Sequence, residues 1–224
     1  MADTTLVDFV SGTLPPAIRP TDRVSRDGLI ISRLALPPNP GEWMGSPQFT
    51  LVMHEGAPFE FNWRPPDRQR PERFIVQDGQ FHLTPADHPN HVSWEGAQSV
   101  LVVAMTAEFI DRLVGEAFDG RIPELRARAA LDDPAIGDLA ACLRRDMKAN
   151  GRCSGLCLDF VGASLALKLF ETYGESIISP VSLRGGLGAS RQRRVIGYIG
   201  APLGADLRLA ATAASTAPSA HPFG

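Results

Sequence analysis

The sequence predicts an α+β chain, with an antiparallel β-barrel or sandwich first and α-helices after it. Three observations carry this expectation. Up to Met105, apolar residues recur in short runs broken by Gly, Pro and Asp-Gly turns; beyond Met105 they recur at helical spacing. The 224 residues are 44% hydrophobic and 21% charged, enough apolar content for a core and too little charge for a chain disordered from end to end.

The strands follow in order. Leu29-Ile30-Ile31 to Leu36 is the first, Phe49-Thr50-Leu51-Val52-Met53 the next, and Phe59-Glu60-Phe61-Asn62-Trp63 alternates apolar with polar, as a half-buried strand does. Arg73 to Val76, Phe81 to Thr84, His91 to Trp94 and Ser99 to Met105 come after, separated by Asp78-Gly79, Pro85 and Glu95-Gly96.

Thr106 is placed to cap a helix bearing Phe109, Ile110, Leu113, Val114 and Ala117. Asp133-Pro134 sets a cap and a proline at the first helical position of a second helix, with Ile136, Leu139, Ala140, Leu143 and Met147 on one face. A third, about Leu156 to Tyr173, carries two apolar stripes: Leu156, Phe160, Ala163, Leu167 and Phe170, and Leu158, Val161, Leu165 and Leu169. A helix apolar on two sides is buried on two sides, by its own domain or by a second copy of the chain, so a homodimer is one expectation.

Composition excludes several classes. The longest unbroken aliphatic run, Val100 to Met105, is far short of the roughly 18 residues of a membrane helix, and Met1-Ala2-Asp3 has no basic leader, so the expectation is a cytoplasmic protein with no membrane partner. Cys142, Cys153 and Cys157 lack the paired spacing of a zinc ribbon. Net charge is −3, unevenly spread: from Leu183 onward five arginines face one acid, Asp206, so that tail is basic and the rest acidic.

Between Ile177 and Gly188 lies a linker-like stretch ending in Gly185-Gly186-Leu187-Gly188, followed by Arg193-Arg194-Val195-Ile196-Gly197-Tyr198-Ile199 and Asp206-Leu207-Arg208-Leu209-Ala210. With Asp78 to Asp87 and Trp94-Glu95-Gly96 in the strand-rich part, this pattern resembles the AraC family of bacterial transcription regulators over nearly the whole chain. The resemblance implies a cupin-like antiparallel β-barrel followed by α-helices and a helix-turn-helix segment that contacts DNA. Only 39 residues run from Gly186 to Gly224, so the expected helix-turn-helix is incomplete. Gly197 and Gly200 inside its first helix each cost roughly 1 kcal/mol relative to Ala. By the same resemblance Arg191, Arg193 and Arg194 are candidate phosphate contacts and Ser219 caps the recognition helix.

Enzyme templates find less support. Metal-binding cupin barrels use an H-x-H…E…H set; here His54, His82, His88 and His91 form no H-x-H pair, and the expected ligand position falls on Asn90. No metal and no cofactor is expected. His82 alternates with Phe81 and Leu83, and so faces away from them. There is no G-x-S-x-G elbow and no phosphate loop, and Glu55, Glu60 and Glu95 are not paired by any spacing. Phe49, Phe59, Phe61, Trp63, Phe74, Phe81 and Trp94 fall on strands, either filling the core or lining a pocket, and Arg64, Arg68, Arg70 and Arg73 lie in or beside a Pro-rich turn, solvated or facing an anionic effector.

The expected organisation is a cupin-like sensor barrel over 1–105, a helical connector with dimerisation helices over 106–182, and a truncated AraC-type helix-turn-helix over 183–224. The expected function is effector-sensing transcription regulation without catalysis, the effector and its residues being unassigned. The alternatives are a stand-alone small-molecule-binding or dimerisation module, or a metal-dependent cupin enzyme.

Overall fold

The computed structural model describes residues 4–149 and 154–175. Cys153 and the segment 183–224, with Arg191, Arg193, Arg194 and Ser219, lie outside the described residues.

Ten strands come first: β1 (Thr4–Leu6), β2 (Arg19–Arg26), β3 (Leu29–Leu36), β4 (Asn39–Gly45), β5 (Phe49–Glu55), β6 (Phe59–Arg64), β7 (Glu72–Val76), β8 (Phe81–Thr84), β9 (Asn90–Trp94) and β10 (Gln98–Met105). A single helical turn, α1 (Ala107–Ile110), runs on into a π-helical turn over Asp111–Gly115. Then come β11 (Glu124–Leu125), β12 (Arg128–Leu131), α2 (Pro134–Ala149), α3 (Ser154–Tyr173) and β13 (Gly174–Glu175).

The expected closed barrel is corrected to two facing sheets. One has the order β1-β4-β9-β6-β7, the other β12-β8-β5-β10-β3-β2, and β11 pairs with β13 apart from both. Their edges are poor templates for closure: β1 is three residues long, β12 slips register against β8, and β2 (RPTDRVSR) is charged and mostly exposed.

The central strands of the six-stranded sheet are buried on both faces, so β3 and β10 read as continuous apolar runs where a half-buried strand would alternate. Odd-numbered residues such as Leu29, Ile31, Leu51, Leu83, Leu101 and Val103 pack against the helices. Even-numbered ones, Ile30, Leu34, Val100, Val102 and Ala104, pack with Val7, Phe9 and Ile18 on the other face. The five-stranded sheet contributes Phe61, Trp63, Val76, Val92 and Trp94.

Helix ends follow local chemistry. The Thr106 hydroxyl accepts from Phe109 N, and an Asp133 carboxylate oxygen accepts from Ala135 N at 2.9 Å and Ile136 N at 3.3 Å. Asp133 also accepts from the Tyr173 hydroxyl, tying the start of α2 to the end of α3. Burial, and then the Asp133 charge, push the Tyr173 phenol up to about 12. Asp133→Ala is expected to cost about 1–2 kcal/mol, read as a lower urea midpoint with unchanged slope, because it frees two helix N–H groups and a phenol together. An unchanged midpoint would show that α2 needs no cap.

On α3, Leu158, Val161, Leu165 and Leu169 are buried against the sheet. The other stripe divides: Phe170 is buried, whereas Leu156 and Phe160 are 63% and 58% exposed. Gly162 lets α3 approach β3 closely, since a Cβ there would lie 2.2 Å from Leu29 Cδ2. Among the described residues, no helix is long and apolar enough to cross a membrane.

Candidate functional site

Between the two sheets the side chains leave a cavity of about 110 Å³. Its walls are mostly apolar, with Val52 and Val102 from one sheet and Phe61, Trp63 and Trp94 from the other. Among the described residues no Asp, Glu, Lys or Arg lines it; the polar groups are His54, His82, Asn90, Thr50, Thr84, Ser46 and Gln98.

Antiparallel register brings the two histidines together. Val52 stands opposite His82 in the β5–β8 ladder, so His54 is the diagonal neighbour of His82 on the same face. His54 Nε2 and His82 Nδ1 are 3.1 Å apart, in hydrogen-bond contact. Aromatic rings hold the pair: His82 stacks on Phe61 at 5.5 Å between centroids, and His54 sits 5.0 Å from Phe59. His54 is 6% exposed. His82 keeps some accessible surface and lines the cavity.

Burial lowers the His54 imidazole to about 4, and burial followed by the repulsion of a charged His54 pulls His82 well below the usual imidazole range. Both rings are therefore neutral at pH 7. Two neutral imidazoles joined through one nitrogen each share a single proton between those nitrogens. If His54 donates, its Nδ1 is a bare acceptor and His82 carries its proton on Nε2; if His82 donates, the roles reverse. In either arrangement the outer nitrogens present one donor and one acceptor.

His54 Nδ1 is buried with no hydrogen-bond partner, and so is Asn90 Oδ1, while Asn90 Nδ2 donates to His88 O. Asn90 pairs with Met44 across the β4–β9 ladder, two residues before Val92 and four before Trp94, which pairs with Phe61. Asn90 Oδ1 therefore lies toward the other end of β9 from the ring that packs on the histidine pair. Unpaired buried polar atoms are costly, and they mark places where water or a ligand group belongs.

The other residues singled out in the sequence are placed elsewhere. Of the strand aromatics, Phe59, Phe61, Trp63 and Trp94 line the cavity, whereas Phe49 and Phe81 face the helices and Phe74 packs on Trp63. Arg64 lies over the Trp43 ring, Arg68 pairs with Glu72 and Arg73 with Glu60, none of them at the cavity. Glu55 is nearly buried and held by Arg33 at 2.6 Å and Arg144 at 3.2 Å, joining β5 to β3 and α2. His82 does face away from Phe81 and Leu83, but into a second interior. The continuous apolar runs of β3 and β10 were the available signal that both faces are covered.

Among the described residues the donor set does not fit a resident metal of the three-histidine, one-carboxylate kind. His54 and His82 each spend a nitrogen on the other, no carboxylate lines the cavity beside them, and His91 packs edge-on against Trp43 while His88 bonds Ala86 O. Among the described residues no three His, Cys, Asp or Glu side chains come together in a metal-holding group.

No protein-family model matches this chain, and no curated protein matches it. Solved structures share part of it. A candidate mannose-6-phosphate isomerase from Ralstonia eutropha is 23% identical over 42% of this chain and 88% of its own, with a TM-score of 0.33. A cupin domain from Bordetella pertussis is 14% identical over 43% of this chain and 100% of its own, and a cupin superfamily protein from Desulfitobacterium hafniense is 12% identical over 42% and 82%, both with TM-scores of 0.32.

Proposed function

We propose that this chain is a small-molecule-binding module whose ligand occupies the space between the two sheets. One observation carries the reading: a partly open, apolar-lined cavity has His54 and Asn90 in its walls, each with one buried polar atom, Nδ1 and Oδ1, that the protein leaves unpartnered. Acid–base catalysis is a weaker reading, because the imidazoles that line the cavity among the described residues, His54 and His82, are of lowered basicity.

The test compares thermal unfolding of the native chain and V52F across a library of small molecules. Val52 faces the cavity between Val102 and His82, so a phenyl group there fills the space with little disturbance of the outer packing. At least one compound is expected to raise the native Tm saturably, a ligand at a hundred times its Kd being worth about 2.7 kcal/mol, and the shift is expected to vanish in V52F. No shift in the native chain, or equal shifts in both, would overturn the reading.

The fuller form of this proposal is an effector-responsive, AraC-like regulator, in which the bound molecule alters a homodimer and the tail contacts DNA. The exposed Leu156 and Phe160 on α3 favour the dimer part. The DNA part rests on Arg191, Arg193, Arg194 and Ser219, by sequence resemblance alone. Fluorescence anisotropy of labelled duplex from the gene's upstream region, at two salt concentrations, is expected to show binding that R191A/R193A/R194A weakens and added salt reduces. Binding indifferent to those arginines, or none, would leave the ligand-binding module without a DNA role.

A further inference from the structure

We propose that the ligand of this cavity is an uncharged molecule of about one ring, bearing a hydroxyl group that seats on the His54–His82 pair. The inference rests on the ligand-binding reading above and names the chemistry that reading leaves open.

Size sets the first limit. About 110 Å³ is somewhat less than the roughly 150 Å³ of an engineered apolar cavity that takes benzene, so the space between the sheets suits about a single ring. The walls set the second. Phe59, Phe61, Trp63 and Trp94 offer ring faces and edges to a flat apolar body.

Charge sets the third. Among the described residues no ionised side chain lines the cavity, and Glu55, the buried carboxylate next along β5, is already neutralised by Arg33 and Arg144. A carboxylate or ammonium entering this space would lose its hydration and find no counter-charge. The histidine pair then selects the polar group. Of that pair, His82 keeps accessible surface and His54 Nδ1 is buried without a partner, and each outer nitrogen is a donor or an acceptor according to where the shared proton lies. A hydroxyl both donates and accepts, so it satisfies whichever nitrogen it meets; an ether or ketone can only accept.

The experiment is calorimetric titration at pH 7 of the native chain, H54F and V52F with phenol, benzene, benzoate and benzylamine. Phenol is expected to bind the native chain one to one, about tenfold or more tighter than benzene. Benzoate and protonated benzylamine are expected not to bind. H54F should bring phenol down to the affinity of benzene, and V52F should abolish both. Benzene binding as tightly as phenol, with H54F unchanged, would overturn the hydroxyl assignment while leaving the cavity as a binding site. Tighter binding of benzoate or benzylamine would overturn the uncharged class in the same way. If phenol fails and the library yields a different ligand lost in V52F, the class is wrong and the site stands; if phenol and the library both fail, both readings fall.

Discussion

Lowering the pH from 7 to 4 is expected to remove about 3 kcal/mol of folding stability through His54 alone, with a further loss from His82. The sign follows from proton binding. An unfolded imidazole takes a proton near pH 6.5, whereas the buried His54 resists it until about 4, so between those values the unfolded chain holds more protons than the folded one. Stability is complete above about pH 6.5 and drains away as the pH falls through that window. Urea unfolding at half-unit steps checks it, with H54F/H82F as the reference. Carboxylates titrate in both proteins, so the difference between the two curves isolates the histidines. A native curve parallel to that of H54F/H82F would mean that the pair takes up protons in the folded state as readily as in the unfolded one, and would overturn the lowered basicity assigned to it.

Phe61→Ala is expected to cost about 3–5 kcal/mol, read as a lower urea midpoint at constant slope. Phe61 is 2% exposed and occupies the middle of the space between the sheets, with ring contacts to His54, His82, Phe59 and Trp94. Truncation joins the lost ring volume to an existing cavity, and the walls, anchored in two hydrogen-bonded sheets, cannot collapse to fill it. It also removes the surface on which His82 stacks. A loss below about 1 kcal/mol would show that the sheets do not depend on this ring, and that the cavity is not closed around it.

Much of the backbone was legible because it depends on local chemistry. Thr106, Asp133 and Pro134 announce helix starts by hydrogen-bonding and φ restriction within three residues, and the helices begin there. The strands from β3 to β10 were legible where apolar side chains recur, and missed where they do not. β2 is a charged edge strand whose partner β3 supplies the apolar content, and β4 (NPGEWMG) carries Pro and Gly through a register shift against β9. The π-helical turn after α1 has no distinguishing residue pattern.

The cavity was legible only in fragments. His54 and His82 were each visible, as were Asn90 and the aromatics, but 28 positions separate the two histidines and nothing local relates them. Their contact is a diagonal in the β5–β8 ladder, so it exists only at one register; a slip of one residue would turn His82 toward the helices.

Alternation, turn residues and caps thus determined from sequence where the main strands and the helices form, and that His82 opposes Phe81 and Leu83. Only the tertiary structure decided that the face bearing His54 and His82 is a second interior. Periodicity assigns a side chain to one face or the other of a strand, whereas burial depends on what packs against that face: here a second sheet, with Phe61, Trp63 and Trp94, drawn from distant residues. Enclosure by that sheet takes the two imidazoles out of water, which lowers their basicity, and leaves His54 Nδ1 without a hydrogen-bond partner.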